Sequence, residues 1–251
     1  TNSNDAEANA RFGHAVGIDG NIIVAGAFRK HTNGTEDAGA AYIFEYNGTV
    51  WEKKKLIKPS VLGADDEFGV SVAVSGTTVV VGAYEHDSGA SNAGKAYIYE
   101  RNGDGTWNET ETKQIVPANI GENYKFGSSV SIDGNNIIVG AGGSDGKGAA
   151  YIFERNGDGT WGNEVSGQTY RTETHKIQPT ELLSGDGFGK VNIKGNYAII
   201  SAMYDDTTVT DSGAAYIYEY NAGTSTWEKK SKIKPSTQYL ETSSRYGVSV
   251  A

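Results

Sequence analysis

Short, continuous apolar stretches recur along the chain, each closed by Gly-Ala or a near equivalent. They read "IIVAGA" from Ile22, "TVVVGA" from Thr78, "NIIVGA" from Asn136 and "YAIISA" from Tyr197. Runs this short and this uniformly apolar predict strands buried on both faces. A second series follows each of them: "GAAYIFE", "GKAYIYE", "GAAYIFE" and "GAAYIYE". Ahead of the first series lies an alternating strand such as "SSVSI" from Ser128, joined to it by a turn such as "DGN" at Asp19–Asn21 and Asp133–Asn135, a strong short-hairpin signal. A fourth strand runs through "KLIKP", "KQIVP", "HKIQP" or "SKIKP". No segment carries a helical period.

These strands, A to D, form a unit that repeats about every 60 residues. The units begin at Phe12, Phe68, Phe126, Phe188 and Tyr246, each followed by Gly. Every Trp (51, 107, 161, 227) and every Pro (59, 117, 179, 235) keeps the same register. Four antiparallel strands per unit suit the blade of a β-propeller, so the predicted class is all-β, with residues 1–251 as one propeller or propeller segment. Blades stack face to face, which accounts for apolar residues on both sides of strands B and C. Small residues at the end of B and the start of C let neighbouring sheets approach, and the Trp that opens strand D is expected to pack between blades.

The units resemble FG-GAP repeats, the blades of integrin alpha-subunit propellers and of many secreted or surface proteins. The "FG" stands at Phe12-Gly13, Phe68-Gly69, Phe126-Gly127 and Phe188-Gly189, with Tyr246-Gly247 as a variant. The "GA" stands at Gly26-Ala27, Gly82-Ala83 and Gly140-Ala141 and becomes Ser201-Ala202 in the fourth unit. The motif's proline is replaced by Phe28, Tyr84, Gly142 and Met203. The resemblance implies rings of seven blades, which would need roughly 420 residues. Four full units and the first strand of a fifth therefore suggest a segment of a larger propeller, ahead of a compact four-bladed ring or a ring completed by a second copy. A lone strand A at the end would leave an open sheet edge, which proteins normally cover.

Composition narrows the function. The chain has 251 residues and 34 Gly but only 4 Pro, a balance that points to tight turns rather than linkers. A formal charge of -9 argues against nucleic acid, which needs clustered Lys and Arg. The absence of Cys removes disulfides, thiol catalysis and Cys-ligated zinc. No apolar run is long enough to span a membrane.

Alternating strand direction places the B–C and D–A loops on one rim. The B–C loops vary most: "FRKHTNGTEDA", "YEHDSGASNA", "GGSDGK" and "MYDDTTVTDS". Variable loops on a repeated scaffold are where binding specificity usually resides, and the resemblance to integrins places ligand contacts on the same rim. Arg29, Lys30, Tyr84, His86 and Tyr204 are the candidate ligand-binding residues. Calcium, the one cofactor suggested, needs several converging oxygen ligands. The A–B turns "IDGN", "VSGT", "IDGN" and "IKGN" hold at most one carboxylate each, so the family's calcium cage is not carried over. Asp65, Asp66, Asp205, Asp206 and Asp211 remain as metal candidates, while "NGDG" at 102–105 and 156–159 reads as a turn. The N-x-T triplets at Asn33, Asn47 and Asn108 are glycosylation acceptors if the chain is eukaryotic and secreted.

His14, His31, His86 and His175 occupy unrelated repeat positions without metal-ligand spacing, and no nucleophile elbow or phosphate-binding loop occurs. The leading expectation is thus a non-enzymatic module at the cell surface or outside the cell, binding a protein or glycan through its variable loops. Its competitors are a self-associating subunit of a surface layer, filament or sheath, and a polysaccharide-acting propeller enzyme with a charged pocket at the axis.

Overall fold

The computed structural model describes residues 7–61, 63–206, 210–234 and 246–250. The first sheet holds β1 (Val16–Asp19), β2 (Ile22–Ala27), β3 (Ala40–Tyr46) and β4 (Trp51–Ile57) in chain order. The second begins with β5 (Ser71–Ser75), β6 (Thr78–Ala83), β7 (Lys95–Glu100) and β8 (Lys113–Ile115). The third unit supplies β9 (Phe126–Asp133), β10 (Asn136–Ala141) and β11 (Ala149–Glu154), then the short β12 (Asn163–Glu164), β13 (Tyr170–Thr172) and β14 (His175–Ile177). The fourth sheet is β15 (Phe188–Lys194), β16 (Tyr197–Ala202), β17 (Ala214–Asn221) and β18 (Thr226–Ile233). The A strands β1, β5, β9 and β15, together with 248–250, line one central cavity of about 400 Å³. The sheets are therefore blades set around an axis, with strand A innermost.

One expectation needs correction. The second sheet has six strands, in the order β12-β13-β8-β7-β6-β5. The third unit does not run straight from its Trp into strand D. It first crosses to the second blade, where β13 pairs in parallel with β8, Tyr170 opposite Gln114 and Arg171 opposite Ile115. The excursion covers an edge that would otherwise be open.

Each repeated motif turns out to be part of a joint between blades. A Cβ added to Gly26, Gly82 or Gly140 would lie 1.9, 2.0 or 1.7 Å from the carbonyl oxygen of Gly69, Gly127 or Gly189 in the next blade. The Gly of "GA" and the Gly of the following "FG" are thus in backbone contact, which only a missing side chain permits. Beside this contact Gly39, Gly94, Gly148 and Gly213 form parallel bridges to Phe68, Phe126, Phe188 and Tyr246. The three inner Phe rings are wholly buried and meet edge-on the strand-C tyrosines Tyr97, Tyr151 and Tyr216 of their own blade. Three apolar clusters each straddle two consecutive sheets. Strands B and C are apolar on both faces because each face is half of such a cluster.

Polar relays run along the rim that carries the A–B and C–D turns. In the A–B turns the Gly76 N–H donates to Asp19 Oδ2 of the preceding blade (2.6 Å), Gly134 N–H to Ser75 Oγ (3.1 Å) and Gly195 N–H to Asp133 Oδ2 (2.7 Å). At the C-terminal end of strand C, on the same rim, the Trp107 indole N–H donates to Glu45 Oε1 (2.7 Å) and Arg101 Nη2 to Glu45 Oε2 (2.9 Å). Trp161 and Arg155 repeat this on Glu100. At the third joint Tyr220 replaces the Arg, Glu154 lies 3.4 Å from His175 Nε2 instead, and the buried Trp227 N–H has no acceptor among the described residues. The Trp residues at 107, 161 and 227 do pack between blades. Pro235 lies outside the described residues.

Candidate functional site

On the rim carrying the B–C and D–A loops, a cleft of about 620 Å³ opens between the first two blades. One wall is the D–A loop around Asp65, Asp66 and Glu67. The other is the B–C loop of the second blade, with Glu85, His86, Asp87, Ser91 and Asn92. The walls are set by backbone lacing across the joint. Asp65 N–H donates to Glu36 O (3.0 Å) and Glu67 N–H to Asp37 O (3.2 Å), so the D–A loop is tied to the B–C loop of the preceding blade. The residue before each Phe-Gly is left-handed: Arg11, Glu67 and Lys125 have φ of 57°, 54° and 55°, and only the fourth unit uses Gly there, Gly187 at 64°. Such a backbone is uncommon for non-glycine residues.

Five carboxylates border this cleft, and burial shifts two of them. Asp66 is nearly buried, and its Oδ2 accepts from Gly63 N–H at 2.9 Å. Its pKa is raised by burial, against the pull of that hydrogen bond. Glu67 is also raised by burial, while Arg29, 3.7 Å away, acts in the opposite sense. The Tyr84 phenol is pushed well above its ordinary value by burial and by its hydrogen bond to Glu67, and Lys125 Nζ sits 5.3 Å from its ring. His86 is pushed down to about 4 by burial and by Lys95. Its Nδ1 lies 3.0 Å from the Ser88 hydroxyl and its Nε2 4.0 Å from Asp66.

A folded-state His pKa below the unfolded value near 6.5 means that protons favour the unfolded chain. The stability tied to neutral His86 is present above pH 6.5 and is lost as pH falls toward 4. The raised carboxyls act with the opposite sign, weakening the fold as pH rises through their folded values. His86→Gln should therefore lessen the drop in melting temperature between pH 7 and pH 5 by roughly 4–8 °C, corresponding to about 2 kcal/mol of linkage. Calorimetry of both proteins at the two pH values checks this, and equal drops would show that His86 protonates freely in the fold.

Of the rim candidates, Arg29, Tyr84 and His86 gather at or beside this cleft. Lys30 turns away, its Nζ 3.2 Å from Glu7. Tyr204 belongs to the fourth blade, where its N–H donates to Asp186 O at 3.1 Å. Glu85 and Asp87 were not singled out from sequence, although "YEHDS" signals them once D–A and B–C loops are known to meet. Among the metal candidates, Asp65 and Asp66 border the cleft. Buried Asp205 accepts from Tyr216 OH (2.8 Å) and Lys232 Nζ (2.7 Å). Asp206 Oδ1 accepts from Asp211 N–H (2.7 Å). No group of three or more His, Asp or Glu among the described residues adopts metal-holding geometry. In the "NGDG" turns Asp104 and Asp158 accept from the N–H and hydroxyl of Thr106 and Thr160, the role expected of a turn. Asn33, Asn47 and Asn108 are all exposed. At the axis the cavity presents His14 and Lys190 among Ser, Ala and Val side chains, and burial lowers the Lys190 pKa. No described helix is long and apolar enough to cross a membrane.

Solved structures share this architecture. A protein from Lactobacillus plantarum aligns over 90% of this chain and 57% of its own, with 15% identity and a TM-score of 0.55. A functionally unknown protein from Desulfotomaculum acetoxidans aligns over 88% of this chain and 56% of its own, with 11% identity and a TM-score of 0.51. The chain thus spans a little over half the length of these two, and at such identities the likeness concerns the fold alone. No curated protein matches it. The FG-GAP repeat pattern matches four times, at residues 2–44, 51–99, 109–153 and 172–218. With the joints built from the "FG" and "GA" glycines themselves, this chain belongs to the FG-GAP repeat family.

Proposed function

We propose that the chain is a non-enzymatic, extracellular recognition module that binds a protein or glycan through its B–C and D–A loops. The carrying observation is the rim cleft, where loops of two blades converge on a recess lined by both charged and apolar groups. Loops held by a rigid scaffold keep their side chains preorganised, which lowers the entropic cost of binding. The charged lining favours polar or cationic groups on the ligand, and exposed Val61 and Ala64 give its edge a small apolar surface. Screening the purified chain on glycan and surface-protein arrays, beside Tyr84→Ala and Asp87→Ala variants, tests the proposal. A hit should weaken at least tenfold in both variants; hits indifferent to both would move recognition off this cleft.

A second reading, a self-associating subunit of a surface layer, filament or sheath, is favoured by the outer face of the first blade. Phe12, Val16 and Ile18 are 58%, 67% and 65% exposed there, whereas their counterparts Phe68, Val72 and Val74 are buried under a preceding blade. Light scattering that shows regular particles growing with concentration would select this reading.

A further inference from the structure

The excursion that covers the second blade's edge follows a rule, and the third blade breaks it. Two units carry an x-Thr-Glu-Thr segment just before strand D: Glu109-Thr110-Glu111-Thr112 and Arg171-Thr172-Glu173-Thr174. In each, the last Thr hydroxyl accepts from the N–H of the strand-C Glu in its own blade, Glu100 or Glu154. The first residue and the Glu reach back to the preceding blade. The carbonyl of Glu109 accepts from Lys58 N–H (2.9 Å), and Glu111 accepts from Ser60 N–H (2.8 Å) and the Ser60 hydroxyl (2.6 Å). The carbonyl of Arg171 accepts from Val116 N–H (3.0 Å), and Glu173 from Ala118 N–H (2.7 Å). In both cases the two N–H groups flank the repeat's proline.

The fourth unit reads "WEKK" at this register and runs as one bulged strand, β18, against β17. Among the described residues, no backbone group of this segment bonds back to the third blade, although the Lys229 side chain pairs with Glu181 there. The counterpart of β8 is β14, which ends its sheet, and beside it lies a groove of about 470 Å³ between β14 and Tyr218, Thr226 and Trp227. The N–H groups of Gln178 and Thr180, which flank Pro179, are the counterparts of Val116 and Ala118 and make no hydrogen bond among the described residues. An edge strand with unpaired N–H groups is a template for strand addition, and the chain itself shows twice what fits there.

We propose that this groove is a docking site for an extended, glutamate-bearing peptide of a partner protein, one that adds a strand parallel to β14 and presents a Thr-Glu-Thr pattern. The residue two before the Glu would lie opposite Ile177 and accept from Gln178 N–H through its carbonyl. The Glu carboxylate would accept from Thr180 N–H, a charge-assisted bond stronger than a neutral one. Ile177 and Pro179, both buried, and the Trp227 ring supply the apolar wall. This site is separate from the rim cleft and stands whether or not the cleft binds a ligand.

The probe is the chain's own segment, the capped peptide Tyr-Arg-Thr-Glu-Thr, titrated into the whole isotope-labelled protein. The amides of Gln178 and Thr180 should shift and saturate, and the Trp227 indole resonance should move with them. Replacing the peptide's Glu by Gln should weaken binding about tenfold or more, as expected for a lost hydrogen bond to a charged group. Thr180→Pro, which removes one donor in an exposed turn, should do the same. If that variant does not fold, the Glu-to-Gln peptide comparison decides alone. No saturation up to millimolar peptide would overturn the proposal. So would shifts confined to Val116 and Ala118, which would mean that the peptide only displaces β13 from the second blade, and so would indifference to the Glu.

Discussion

Gly140→Ala should lower the melting temperature by about 10 °C, while Gly103→Ala should leave it unchanged. A Cβ on Gly140 would stand 1.7 Å from the Gly189 carbonyl oxygen, a backbone atom that no rotamer change can move aside. The third and fourth blades would have to separate locally, opening a cluster that includes wholly buried Ile138, Phe188 and Tyr216. Overpacking of this kind costs about 3 kcal/mol or more, and each kcal/mol shifts the midpoint by about 2–4 °C in a chain of this size. At Gly103 nothing lies within 4 Å of where a methyl group would stand, and its backbone is not left-handed, so Ala fits without strain. Thermal unfolding followed by circular dichroism compares the two. If Gly140→Ala melted like the parent, the close approach of the two blades would be wrong.

Phe126→Ala should cost about 3–5 kcal/mol, the range for removing a buried aromatic ring, whereas Phe12→Ala should cost less than about 1 kcal/mol. Both residues open an "FG" motif and both rings meet strand-C aromatics of their own blade, Phe126 with Tyr151 at 5.5 Å and Phe12 with Tyr42 at 5.3 Å. They differ in their outer side. Phe126 is sealed by the preceding blade, bridged to Gly94 and fully buried, while Phe12 is 58% exposed. The motif's energetic weight therefore belongs to the joint rather than to the blade. Urea denaturation of the two variants measures the difference, and comparable losses would place the weight inside the blade instead.

Much of the fold could be read in advance because a repeat reports its own geometry. The two-sided burial of strands B and C followed from uninterrupted runs such as "NIIVGA", since a half-exposed strand alternates. The excursion of β12 and β13 was not legible. "RTETHK" reads as the approach to a strand, and only the joint shows that Arg171 and Glu173 belong to the neighbouring blade. A segment that pairs outside its own unit leaves no periodic trace. The rim site was half legible for a similar reason. Arg29, Tyr84 and His86 stood out as irregular loop residues, but Glu67 lies next to the repeat's most regular feature, Phe68-Gly69. Its role depends on a left-handed backbone that pattern alone does not reveal. Lys30 shows the converse: a loop cation that looked free is held by Glu7.

The missing clamp at the third joint also bears on how the molecule comes apart. In an array where each unit touches only its neighbours, stability is a sum of unit and interface terms, and the weakest interface sets where opening begins. The first two joints are stapled by x-Thr-Glu-Thr segments and by Trp–Glu–Arg relays. Among the described residues the third has neither, and its Trp227 indole N–H stays unanswered. The third joint is held instead by other bonds: Lys190 Nζ donates to Ser128 O, Val191 N–H to Ser129 Oγ and Ile193 N–H to Ser131 Oγ, and Lys229 pairs with Glu181. Because each joint is held by a different set of bonds, the free energy of local opening should differ from joint to joint along the array.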